Sequence, residues 1–331
     1  MYDKPHLSYE EQLSKLLSRG LRCDDQQAAL DVLRAVGYYR LSAYVYPFRE
    51  MLAADAPRSS PVHYRAEEIR ADASFEQVTA LWKFDRKLRL TCLDAIETVE
   101  IGMRTKIAHV LGRRDPFGHV HRDALDELEC SKPPRGQAGD AKDTFEQWVV
   151  KYGTLAAPAE NEDYVRHNRA KYGDPLPVWV AVKFFDLGAL VRLFQLMERS
   201  DQNAVAAEVG VKQGRLLADW LRDLNYLRNV CAHHSRLWNR TLTMKPRKFS
   251  THQVGEPLAH VAQSENREKV YVLLAELAYL VRHIDRTSRW PDSGLRTVVR
   301  KFPLDAVLSP ETDMGFPEGW DDFDLWRLRG I

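Results

Sequence analysis

SFEQVTALWKFDRKLRLTCLDAIETVEIGMRTKIAHVL, residues 74–111, reads as one long helix. Its first residues, Ser74-Phe75-Glu76-Gln77, form a capping box, in which the serine hydroxyl accepts from a free backbone N–H and the glutamine reaches back. Behind it Val78, Leu81, Trp82, Leu88, Cys92, Ile96, Val99 and Met103 recur at helical spacing. No proline follows until Pro116. At 1.5 Å per residue such a helix is ~55 Å long, and a curve or kink is expected over that length.

Helix signals continue on both sides. Upstream, Ser8-Tyr9-Glu10-Glu11 is a second capping box, opening a helix with Leu13, Leu16 and Leu17 on one face that stops at Gly20. A further helix begins at Asp24-Asp25, followed by the aromatic cluster from Tyr38 to Tyr44, closed by Pro47-Phe48. The stretch from Ala53 to Pro61 reads as a surface loop. Downstream, residues 112–175 form a polar insert in which Trp148 to Tyr152 and Tyr164 to Tyr172 read as short helices. Pro177 begins an apolar helix from Val178 to about Glu198, Gly210 separates a short helix from one running from Arg215 to about His233, and an amphipathic helix spans Asn266 to Ile284. No strand alternation stands out. The expected fold class is all-α, with an N-terminal helical region to about residue 70, a helical bundle over 71–301 and an acidic irregular tail over 302–331.

The chain has 331 residues, with 48 Lys+Arg against 47 Asp+Glu and a formal net charge of +1. Hydrophobic residues at 44% and charged residues at 29% mark a globular chain rather than a disordered one. The even charge balance excludes a histone-like polycation, so any nucleic-acid surface must be local. The charged start contains no apolar leader, and the richest apolar stretch, Val270 to Val281, is interrupted by Glu276, so no membrane association is expected. Four cysteines without a CxxC pair argue against a zinc ribbon or disulfide scaffold and for a reducing cytoplasm. No GxxxxGK[ST], GxGxxG, GxSxG or HExxH occurs, and neither a cofactor nor a metal is expected.

The chemistry concentrates at Arg228-Asn229-Val230-Cys231-Ala232-His233, behind a stripe of Leu217, Trp220, Leu221, Leu224 and Leu227. Asn229 and His233, four apart, share a helix face. An arginine, an amide and a histidine suffice to cleave a phosphodiester without metal. Arg228 can bind the phosphate and offset transition-state charge; His233 can serve as base on a ribose 2′-OH or acid toward the leaving 5′-oxygen; Asn229 can orient either. From Tyr226 to Ser250 there are six Lys/Arg and no Asp or Glu. His234, Arg236, Arg240, Lys245, Arg247 and Lys248 are therefore candidate RNA contacts, with Trp238 and Tyr226 as possible stacking surfaces. Each has a structural alternative: an Arg and a His five apart can be hydrogen-bonding groups, Cys231 a packed thiol, Trp238 a core cap.

At these residues the sequence resembles the Rx4-6H motif of the HEPN superfamily of helical RNases. The string from Leu227 to Arg240 resembles more specifically the Abi (abortive infection) family of AbiD/AbiF type. Four further segments carry the same resemblance in order: Lys4 to Gln12 with Leu17 to Leu21; Gly37 to Tyr44 with Pro47-Phe48; Phe84 to Arg89 through Glu97, Glu100 and Arg104; and Met314-Gly315-Phe316-Pro317 with Trp320. The resemblance implies a HEPN bundle, dimeric, with two RxxxxH motifs facing one cleft. It also implies metal-independent cleavage to a 2′,3′-cyclic phosphate and a 5′-hydroxyl, in an anti-phage or toxin setting. Arg228, Asn229 and His233 match the motif, and Glu100 with Arg104 match a supporting pair more loosely. Lys183 stands where the family usually has a glutamate after its Pro-Val-Trp.

The expectation is a cytoplasmic, homodimeric endoribonuclease acting on RNA, its activity held by an antitoxin or a regulatory RNA or protein. The alternative is a non-catalytic RNA- or partner-binding HEPN module of a toxin–antitoxin pair. The seven acids of the tail suggest either a restraint lying on the basic strip or a solvated tail anchored by Phe316 and Trp320.

Overall fold

The structure, a computed structural model, describes residues 5–53, 55–58, 64–134, 136, 139–305 and 307–327. Lys4, Pro61 and Arg329 lie outside them. The long helix exists as read. Helix α4 spans Phe75–Arg114, and Ser74 and Gln77 close the capping box. At 40 residues it is ~60 Å long.

Three short helices precede it: α1 (Tyr9–Ser18), α2 (Gln26–Val36) and α3 (Tyr38–Val45). Between α3 and α4 an antiparallel pair, β1 (Arg49–Met51) and β2 (Arg65–Ile69), departs from the expectation of no strands. Strands of three and five residues are too short to display alternation, and β2 buries only Ile69. Its last residue donates from its backbone N–H to the Arg19 carbonyl at 2.8 Å, so the pair is held by the chain after α1.

The insert folds as α5 (Glu127–Cys130), α6 (Thr144–Ala159) and α7 (Asp163–Tyr172). The single apolar helix expected from Val178 is broken. Helix α8 (Val178–Ala181) tightens into a 3₁₀ turn, Phe185 is extended, and α9 (Leu187–Leu196) starts afresh. Asp186 makes the break, because its carboxylate accepts the Ala189 N–H at 2.7 Å and ends one helix by capping the next. Helices α10 (Arg199–Glu208) and α11 (Gly214–Ala232) follow, then the short α12 (Thr251–Val254) and α13 (Ala259–Gln263).

Helix α14 (Tyr271–Ile284) begins later than expected and is not amphipathic: every residue from Tyr271 to Val281 is buried. It packs on α4 and α11, and Gly102 of α4 allows the approach, since a Cβ there would lie 2.4 Å from Ile284 Cγ2. The tail closes over it. Trp326 Nε1 donates to Tyr271 Oη at 3.4 Å, and Phe316, Trp320, Leu325 and Trp326 are buried. The acidic segment is thus part of one core running from Leu13 to Trp326.

That core encloses carboxyls. Both oxygens of Glu276 on α14 are buried without a hydrogen-bond partner among the described residues, and burial pushes its pKa well up. Burial likewise pushes Asp223 of α11 up to about 6, against the pull of Arg222. Between their ordinary and raised pKa values the folded chain holds protons that the unfolded chain has released, so these groups make stability fall as pH rises. The thermal midpoint of Glu276→Gln should therefore drop less than the parent's between about pH 5 and about pH 8; equal drops in a circular-dichroism melt would contradict this.

Candidate active site

Helix α11 buries Leu217, Trp220, Leu221, Leu224 and Leu227, the stripe read from sequence, and delivers the motif at its C-terminal end. There the backbone N–H of His234 donates to the Cys231 carbonyl at 3.1 Å and that of Ser235 to the Val230 carbonyl at 3.0 Å. This is a Schellman ending, in which the reversing residue takes a left-handed conformation that glycine adopts most readily. Here it is His234, with φ of 56°, alone in that region among the described non-glycine residues.

The reversed chain is tied down by the N-terminal helices. Asp85 of α4 is fully buried and accepts from Tyr44 Oη at 2.6 Å, from the Leu237 N–H at 3.1 Å and from the Trp238 N–H at 2.8 Å. It also pairs with the buried Arg89 one turn along. Burial, then the Asp85 charge, pushes the Tyr44 phenol up, so it stays a donor. Two further clamps flank this node: Arg40 donates to the His234 carbonyl and Arg236 to the Ala43 carbonyl, both at 2.8 Å. Trp238 is consequently core and not a stacking surface: it is 0% exposed, its ring 5.8 Å from that of Phe302. Cys231 is likewise a buried thiol, against Cys92 of α4.

The motif's functional groups face outward. Asn229 and His233 are exposed, and Arg228 is half-buried with its guanidinium donating to Asn229 Oδ1 at 3.3 Å. Among the described residues nothing hydrogen-bonds the His233 imidazole. On α4, Glu100 and Arg104 form an ion pair, and Arg104 also donates to the Phe185 carbonyl at 2.6 Å. Burial pushes the Glu100 carboxyl up, while Arg104 and then Arg228 pull it back. Arg228, Glu100 and Arg104 are thus electrostatic neighbours, although they come from two helices far apart in sequence. Spacing alone allowed Glu100 and Arg104 only as an i,i+4 pair; the break at Phe185, invisible in the apolar run, supplies their third partner.

The candidate RNA contacts are more dispersed. Arg240 donates to the Arg236 carbonyl and to Tyr226 Oη. Lys245 pairs with Glu268 at 2.9 Å, Arg247 with Asp219 at 3.1 Å and Lys248 with Glu265 at 3.0 Å. The strip contains no acid of its own, but α11 and the segment before α14 bring carboxylates to it. Three of the tail's acids are engaged elsewhere: Asp305 pairs with Arg70, Asp321 with Arg300 and Asp322 with Arg327. His234 instead lines a cleft of about 440 Å³ with Arg40, Arg86 and Arg89. His121 is held by Asp115 at 2.6 Å, and burial drives its neighbour His119 down to about 4. Among the described residues no three His, Cys, Asp or Glu side chains gather as metal ligands, and no helix is long and apolar enough to cross a membrane.

A helical bundle presenting an Arg-Asn…His set at an exposed helix end, fastened from behind by an N-terminal helical layer, defines the class of this protein. The family model described as Abi-like protein matches residues 31–239, more than half of the chain, and the chain belongs to that family. The match spans Arg40, Tyr44, Asp85 and the whole motif, and it suggests abortive infection as the function. No curated protein and no solved structure matches the chain.

Replacing Asp85 tests the node. Asp85→Ala strands Arg89 and two backbone N–H groups in the core and should cost about 3–5 kcal/mol of unfolding free energy, whereas Tyr44→Phe should cost about 1 kcal/mol. A denaturant midpoint for Asp85→Ala equal to the parent's would contradict the assignment.

Proposed function

We propose that this Abi-like protein is an endoribonuclease of an abortive-infection or toxin system, cutting RNA by 2′-OH attack at the Arg228–His233 motif without a metal. The observation that supports this most is the exposed, unengaged His233 on the same helix end as Asn229 and Arg228. A histidine whose imidazole no described residue hydrogen-bonds, next to a guanidinium held at the surface, suits acid–base work on a bound phosphodiester.

In this mechanism His233 removes the 2′-OH proton as the 2′-oxygen attacks phosphorus. Arg228 and the Asn229 amide meet the charge that builds on the non-bridging oxygens. The P–O5′ bond breaks, and the departing 5′-oxygen takes a proton, leaving a 2′,3′-cyclic phosphate and a 5′-hydroxyl. One imidazole cannot stand on both sides of the phosphorus at once. A two-fold homodimer supplies the second, the partner subunit's His233, by placing both motifs in one cleft.

Glu100 serves in this account as a positioning residue. Its carboxylate lies in the field of Arg228 and is itself oriented by Arg104, so it draws the guanidinium toward α4.

The test is cleavage of a labelled single-stranded RNA in the presence of a chelator. His233→Ala should slow cutting by roughly 10²–10⁴-fold while RNA affinity changes little. A variant that cuts as fast as the parent overturns the nuclease reading. A parent that binds RNA, never cuts it and loses toxicity with either motif substitution favours the binding module.

A further inference from the structure

Beyond the motif, a groove of about 930 Å³ runs between the C-terminal half of α4 and α8, with Ile101, Tyr164 and Val180 among its apolar walls. Trp179 stands in it 52% exposed. The indole rests on the α4 backbone, since a Cβ on Gly112 would lie 3.1 Å from Trp179 Cε3 and 3.2 Å from Cζ3. The glycine therefore makes a seat that fixes one side of the ring and leaves the other open. Tyr164 stands nearby, with the Lys183 ammonium 4.6 Å from its ring centroid.

The rim is cationic. Arg104, Arg113 and Lys183 line the groove, and no Asp or Glu does. Arg104 is held by Glu100 and the Phe185 carbonyl, but among the described residues no carboxylate pairs with Arg113 or Lys183. An aromatic floor with unneutralised cations at its edge fits a flat, apolar-faced group carrying an anion, which is the chemistry of a nucleotide. Charge complementarity makes an acidic ligand the occupant, and the exposed indole makes it one with a stackable ring.

Arg104 joins this groove to the motif, because the same guanidinium that lines it also orders Glu100 beside Arg228. From Glu100 to Gly112 is twelve residues of helix, ~18 Å, a distance that a short run of unpaired nucleotides spans.

We propose that this groove is a base-binding subsite for single-stranded RNA. In it an unpaired nucleobase stacks on Trp179, and the adjoining phosphates are held by Arg113 and Lys183. The proposal rests on the RNA reading of the motif and extends it: the strand is gripped along α4 on one side of the cut, which favours unpaired over duplex substrate.

The experiment is fluorescence anisotropy of labelled oligouridylate and oligoadenylate on the full chain carrying His233→Ala, with and without a second change. Trp179→Ala should weaken binding about tenfold or more, and Trp179→Phe about threefold or less, as expected for stacking on a ring. Arg113→Ala should flatten the logarithmic salt dependence by about 0.7. Thermal midpoints and light-scattering masses should match those of the His233→Ala chain. Unchanged affinity in Trp179→Ala overturns the subsite, as does absence of single-stranded RNA binding by the His233→Ala chain. A loss of self-association in Trp179→Ala with RNA affinity intact also overturns it, by making the groove an interface between copies. The two readings fail separately. If the parent cuts RNA while Trp179→Ala binds normally, the subsite falls and the nuclease stands. If the parent never cuts but affinity depends on Trp179, the subsite stands and the nuclease falls.

Discussion

Asp85 is the constraint on which the site depends. A carboxylate at the centre of a helical bundle is tolerable only when its oxygens are fully engaged, and this one is engaged by three separate segments: Tyr44 from α3, Arg89 from its own helix, and the backbone at Leu237 and Trp238. Those segments are the tyrosine-rich stretch, the start of the long helix and the chain just after the motif. The node makes the reversal at His234 permanent. It fixes the end of α11 against α4, and so fixes where Arg228, Asn229 and His233 emerge. Arg40 and Arg236 reinforce it from either side through backbone carbonyls, which bind whatever side chains the neighbouring positions carry.

Three of the segments resembling the Abi family meet at this node. Tyr44 and Asp85 are buried in it and support the helix end from which Arg228, Asn229 and His233 emerge.

The long helix was legible because its evidence is local: a capping box, a period and no proline over 74–111. So were α7 and α11, each within about a residue or two. What sequence pattern missed was set by partners distant in the chain. Asp186 caps a helix inside an apolar run that reads as continuous. Helix α14 reads as amphipathic because Glu276 interrupts its apolar run and Arg282 and His283 end it, yet Glu276 is buried in the field of Asp223 and Arg222 of α11 and of Arg267, while the tail lies on Tyr271 and Arg282. The tail reads as acidic and loose because its anchors, Phe316, Trp320 and Trp326, are outnumbered by charges, three of which, Asp305, Asp321 and Asp322, pair with Arg70, Arg300 and Arg327. Residue types and spacing pointed to Arg228, Asn229 and His233; the family resemblance pointed more loosely to Glu100 and Arg104, and the fold makes that pair an electrostatic neighbour of Arg228. The acids opposite Lys245, Arg247 and Lys248 could not be seen by counting charges within the strip itself.

In the proposed reaction a ribose 2′-OH attacks phosphorus at the outward-facing motif, and the product ends carry the record of that attack. Cleaved RNA from a chelator-treated reaction should carry 2′,3′-cyclic phosphates and 5′-hydroxyls, because the nucleophile belongs to the substrate. Products ending in 3′-hydroxyls and 5′-phosphates would mean that water, not the ribose, attacks phosphorus, and would contradict the mechanism assigned to His233.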